Sequence, residues 1–206
     1  MEIIKKNALN EANECVNRAI VLDSSGNAIG FDPVKAYNEL REVTLEDNCA
    51  GAAICLLNGE YQNARFILDF AAREGSVQAM YGLARMLIYA LVPDVDFDLD
   101  IYPLIHKAAN HCHLPSMWML ADWLGNGIIV HRYTEHVEFL RFLLNKLDPN
   151  GKHCHPLVPC FMTKHNRSIL VRDVVDALDY NPDDIVEPES VEEVRKMFFT
   201  KERNNY

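Results

Sequence analysis

Several spacings that would announce a chemistry are missing from this chain. It holds no Gly-x-Ser-x-Gly elbow, no phosphate-cradling glycine loop and no His-Glu-x-x-His helix, so none of the common catalytic motifs is in place. It has no long uncharged apolar run at its start either. Glu2, Lys5, Lys6, Glu11 and Glu14 interrupt residues 1–20, so neither a secretory leader nor a spanning helix is expected there, and the expected location is cytoplasmic, with no membrane partner. Basic residues are scarce: 20 Lys and Arg face 30 Asp and Glu, a net charge of -10. Phosphate binding relies on clustered Lys and Arg, so nucleic acid is not expected as the partner and a basic protein suits the chain better. The six cysteines, Cys15, Cys49, Cys55, Cys112, Cys154 and Cys160, form no dense framework. Reduced thiols used as small core residues are the expectation.

What is present is an ordinary globular balance, 49% hydrophobic and 24% charged over 206 residues, which points to one folded α-helical domain over 1–206. Ala8, Ala12, Cys15, Val16, Ala19 and Ile20 recur at helical steps and predict an N-terminal amphipathic helix. Asp23-Ser24-Ser25-Gly26-Asn27 then supplies a loop, and Asp32 followed by Pro33 reads as an N-cap with proline at the first helical position.

The strongest pattern appears when residues 64–87 are laid over 101–124. Ala64, Ile67, Leu68, Ala71, Ala72, Met80, Leu83, Ala84 and Leu87 fall on Ile101, Leu104, Ile105, Ala108, Ala109, Met117, Leu120, Ala121 and Leu124 at one constant offset. Within each copy the steps are three and four residues with one break, which describes two successive helices that each have an apolar face. The break is Glu74-Gly75-Ser76 in one copy and His111-Cys112-His113 in the other. Asn63 and Asp100 fall at equivalent places and predict helix starts. Repetition at this length predicts stacked helix pairs over residues 32–147, with weaker copies on either side of the clear one. Residues 148–206 read as a loop and C-terminal helices, one with Leu170, Val174, Val175 and Leu178 on its stripe and one opened by a Ser190/Glu193 capping box.

The run Ala71-Ala72-Arg73-Glu74-Gly75-Ser76, with Ala79, Met80, Leu83 and Ala84, resembles the Sel-one-like repeat, an α/α relative of the tetratricopeptide repeat. Ala108-Ala109 with Leu120 and Ala121 repeats the pattern, although Cys112 stands where the family has glycine. The resemblance implies an all-α fold, a short α/α solenoid of helix-pair repeats with additional N- and C-terminal helices. It also implies an adaptor that holds other proteins, or in some bacterial members an immunity factor.

Three groups of residues are candidates for a site. Tyr81, Arg85, Trp118 and Asp122 fall at repeat-equivalent positions on the second helix of each copy, where side chains displayed along a stack would contact a protein partner. His111, His113, His153, Cys154, His155 and Cys160 lie in and after two His-Cys-His triplets and are the candidate zinc donors, although the familiar Cys-x-x-Cys spacing is absent. Asp94, Asp96, Asp98 and Asp100 alternate in the manner of a calcium loop, but Leu99 holds its glycine place and Ile105 its closing Glu place. The expected function is a non-enzymatic protein-binding scaffold without a cofactor. An antitoxin-like immunity protein with an acidic surface and a zinc-dependent protein using the His-Cys-His turns are the alternatives, and the sequence leaves the oligomeric state open.

Overall fold

The structure, a computed structural model, describes residues 11–126, 134–158, 167–179 and 181–203. Helices dominate: the fold is all-α, with one small hairpin among the described residues. Helix α1 covers 11–18 and is followed by strands β1 (Ile20–Leu22) and β2 (Ala28–Phe31). Helices α2 (Pro33–Leu40), α3 (Leu45–Asn58), α4 (Tyr61–Arg73) and α5 (Val77–Ile88) come next, then a π-helical turn Phe97–Ile101. Helices α6 (Tyr102–Asn110), α7 (Leu114–Asn126), α8 (Thr134–Leu147), α9 (Arg167–Leu178) and α10 (Pro188–Arg203) complete the order. None of the described helices is long and apolar enough to cross a membrane.

Two compact units divide the chain, Met1–Ile101 with Val158–Tyr180, and Tyr102–Leu157 with Asn181–Tyr206. In the first unit α4 packs between α3 and α5, and α9 returns from the C-terminal part of the chain to pack on α3 and α5. Gly82 makes that return close: a Cβ there would come within 2.3 Å of Leu178 Cδ2, so α5 presents bare backbone to α9. In the second unit α7 packs on α6 and on α8, and α10 on α8.

The repeated positions belong to the core. All nine of the first copy are buried, and in the second only Leu104 is half-buried rather than buried. The two breaks are the same turn. The Ser76 amide donates to the Ala71 carbonyl (2.9 Å) and the Gly75 amide to Ala72 (3.3 Å); the His113 amide donates to Ala108 (3.3 Å) and the Cys112 amide to Ala109 (3.0 Å). Both pairs of bonds form a Schellman closure whose acceptors are the two alanines. This closure needs one residue in the left-handed region, and Gly75 has φ +104° where Cys112 has φ +61°. An L-residue reaches the Cys112 value at a cost but has no well at the Gly75 value. Gly75→Ala is therefore expected to lose about 1–2 kcal/mol. Because an added Cβ would meet nothing within 4 Å, the loss measured by urea unfolding reports the backbone alone, and an unchanged midpoint would count against this account of the turn.

The sequence misplaces several boundaries. The stripe assigned to the first helix ends early, because Ile20 pairs with Phe31 in the hairpin instead of continuing α1. Ala8 of that stripe lies outside the described residues. Helix α4 starts at Tyr61 behind Glu60, so Asn63 is inside the helix, where its amide donates to Asn13 (3.1 Å). Asp100 is likewise internal: the Asp96 carboxylate accepts from the amides of Asp98 (2.9 Å) and Leu99 (3.0 Å) and opens the turn four residues earlier. The wide π-helical turn accommodates Pro103, which has no amide hydrogen to complete a regular α-helical ladder. Helix α10 begins at Pro188, two residues before the expected capping Ser190.

Candidate functional site

The second unit contains a cleft of about 490 Å³ whose lining includes Trp118, Asp122 and Trp123 from α7, Arg141 from α8, and His155 and Leu157 from the following loop. Helical spacing sets Trp118 and Asp122 one turn apart, with Trp123 beside Asp122. Trp123 is buried, Trp118 half-buried and Asp122 exposed, so the cleft has an aromatic wall and a charged rim. Gly125 leaves room for the opposite rim: a Cβ there would come within 2.8 Å of an Arg141 guanidinium nitrogen.

Asp148 builds the loop side. Its carboxylate accepts from the Trp118 indole N–H (2.8 Å), from the Lys152 amide (2.9 Å) and from the His153 amide (3.0 Å). Burial alone would raise its pKa, but these donors and the neighbouring His153 ring together hold it below the usual carboxylate range. One side chain thus fixes the Trp118 ring and folds the 148–153 turn beneath it. Burial pushes the nearby Cys154 thiol up, and the carboxylates of Asp122 and Asp148 push it further, so it sits as a neutral thiol in a negative field.

Three residues of the His-Cys-His turns, Cys112, His113 and His153, are held in the interior. Cys112 closes the α6–α7 turn, and its carbonyl accepts from the Val186 amide (3.0 Å), while His113 bridges to Ile185. His113 is buried with Nδ1 against Ser116 Oγ at 2.8 Å, and burial, with weaker repulsion from His155 and His153, pulls its pKa down to about 3. His153 is buried between Asp148 (3.5 Å) and Asp184 (3.7 Å). Burial raises the Asp184 pKa above the usual carboxylate value, against the opposing pull of His153 and His155. His111, Cys154 and His155 are exposed, and Cys160 lies outside the described residues. Among the described residues no group of three or more His, Cys, Asp or Glu side chains could hold a metal ion. The alternating aspartates likewise spend carboxylate oxygens on local backbone, Asp100 accepting from the Asp96 amide (2.8 Å).

The four expected contact residues divide between the units. Trp118 and Asp122 line the cleft, but Tyr81 and Arg85 are not on the surface: each is about 1% exposed. Helix α9 covers them. Arg85 donates from Nε to Asp173 Oδ2 (2.8 Å) and from a terminal nitrogen to the Tyr81 hydroxyl (2.7 Å), so both side chains are engaged inside the first unit. Arg141 and Asp148 escaped the sequence reading because neither belongs to a periodic stripe; the signal for Asp148 was the Asp148-Pro149-Asn150-Gly151 turn that it opens. No family model, curated protein or solved structure matches the chain.

Proposed function

We propose that this chain is a non-enzymatic protein-binding module, an α/α repeat scaffold that takes a basic segment of its partner into the cleft of the second unit. The observation that supports the reading is the cleft's anatomy: the Trp118 ring locked on Asp148, Trp123 behind it and Asp122 at the rim. Rigid aromatics surrounded by polar rim groups are the usual anchors of protein interfaces. A Lys or Arg side chain placed there would meet an indole face and a carboxylate together. The net charge of -10 favours the same sign of partner.

The test is affinity capture from source lysate with mass-spectrometric identification, run on wild type, Asp122→Lys and Trp118→Ala, with helicity checked by circular dichroism. A stoichiometric basic partner is expected, with affinity reduced at least about tenfold by Asp122→Lys, which removes the rim carboxylate and adds a like charge. Equal binding by both variants would remove the cleft from the proposal, and turnover of a substrate by a chain that binds nothing would remove the non-enzymatic reading. An immunity protein covering a basic toxin is a specific form of this proposal, favoured by the same acidic balance. Co-expression with toxins encoded nearby would distinguish it from a general adaptor.

A further inference from the structure

Among its described residues the first unit has a concentrated exposed apolar patch. Ile20 (36% exposed), Val21 (44%), Leu22 (56%), Ile29 (66%), Phe31 (41%) and Val34 (68%) all lie between positions 20 and 34. Every residue of β1 and β2 is exposed, and neither strand carries a charge or a proline. Exposed strands usually block further pairing with such residues, and the device seen here is one irregularity between Val21 and Leu22. The sheet has two strands among the described residues, and although the Phe31 ring packs edge-on against Phe66 of α4 (centroids 5.0 Å), a third strand would add pairing that so small a sheet lacks.

The charges around β2 select the occupant. Asp23 stands at the hairpin tip and Asp32 directly after β2. Asp23 accepts from the amides of Ser25 and Asn27 (both 2.8 Å) and Asp32 from those of Val34 and Lys35 (both 3.1 Å), donors that orient the carboxylates without neutralising them. Of the nearby cations among the described residues, Arg18 is paired with Glu39 at 2.6 Å, and Lys35 Nζ is turned to the Arg18 carbonyl at 2.7 Å. A second copy laid antiparallel along β2 would set each Asp32 opposite the other copy's Asn27, beside Asp23, acid near acid. A foreign strand with basic ends meets no such conflict.

We propose that the outer edge of β2 receives an extended segment of another protein as a third strand, with β-branched or aromatic residues at alternating positions and a Lys or Arg at each end to meet Asp23 and Asp32. Main-chain bonds would supply affinity and the alternating apolar side chains specificity. This surface belongs to the first unit and is independent of the cleft reading.

The test uses the full chain and two dye-labelled peptides, Lys-Val-Thr-Val-Thr-Val-Lys and its Glu-flanked counterpart, with anisotropy for affinity and amide exchange for location. The Lys-flanked peptide is expected to bind at least about tenfold more tightly than the Glu-flanked one and to slow exchange over residues 28–31. Ile29→Glu should weaken it at least about tenfold, although the added carboxylate attracts lysine, whereas Leu57→Glu, at an equally exposed site on α3, should leave it unchanged. Equal affinity for wild type and Ile29→Glu, or no binding at about 1 mM peptide, would overturn the proposal. A wild-type dimer dissociated by Ile29→Glu would overturn it in favour of self-pairing.

Discussion

Asp173→Ala is expected to cost the first unit about 3–5 kcal/mol, because it leaves Arg85 charged in an interior that no longer holds its counterion. Arg85 is about 1% exposed and lies 2.6 Å from Asp173 in the ion pair. Burial opposes its charge, and the surrounding Tyr81, Tyr89 and Asp173 more than restore it, so its pKa stays above the ordinary arginine value. The Tyr89 hydroxyl joins the same network: it donates to Asp173 Oδ2 (2.5 Å) and accepts from the Val158 amide (3.0 Å), while burial pushes its own pKa up to about 12. Removing one carboxylate therefore strands a guanidinium and a phenol together. In a chain of this length the melting temperature should fall by roughly 10 °C. The double variant Arg85→Met, Asp173→Leu should lose much less than Asp173→Ala alone, since replacing a whole buried pair by apolar groups is often close to neutral. A loss below about 1 kcal/mol in the single variant would mean that water reaches Arg85 and that α9 does not seal this face.

The same network shows where sequence reasoning stops. Local periodicity made the α4–α5 and α6–α7 pairs legible, because their apolar positions lie within a few turns of one another and repeat at one offset. It also placed Cys112 opposite Gly75, and the shared Schellman closure follows from that alignment. Periodicity says nothing about which polar residue on a helix meets a charge 88 positions away, so Tyr81 and Arg85 read as surface residues until α9 is seen to cover them. Asp173 sits between buried Val171 and Val174 on α9, and an apolar stripe gives no reason to single it out. The hairpin was hidden for a different reason. Ile20 continues the stripe of α1, and β1 and β2 span 3 and 4 residues, too short for alternation to stand out. The available signal was Ile20-Val21-Leu22 and Ala28-Ile29 on either side of a Ser-Gly-Asn turn. Of the cleft, Trp118 and Asp122 were legible as a one-turn pair, while the loop that faces them is organised by Asp148, whose partners are mostly backbone amides.

Acid should unfold the second unit earlier than its carboxylates alone would require, and His113 is the reason. Its folded pKa is about 3, against an ordinary value of 6.5, because burial disfavours the imidazolium. The sign follows from linkage: the unfolded chain takes up a proton near pH 6.5 while the folded chain stays neutral there, so stability is fully present above pH 6.5 and is lost as the pH falls toward 3. The slope approaches about 1.4 kcal/mol per pH unit, which amounts to about 2–3 kcal/mol between pH 6.5 and 4.5. Two carboxylates modify the lower end. Asp148, held below its ordinary value, adds a loss once the pH falls below about 4, whereas Asp184, raised by burial, contributes the opposite sign by taking up its proton more readily when folded. Reading the slope between pH 4.5 and 6.5 limits the Asp148 contribution, and His113→Asn removes the titrating ring while keeping a side chain able to cap α7. Urea unfolding across that window should show a steep slope in wild type and a much flatter one in the variant. If both curves fall together, His113 takes up its proton without leaving its site, and the closure at Cys112 and the contact with Val186 survive the imidazolium.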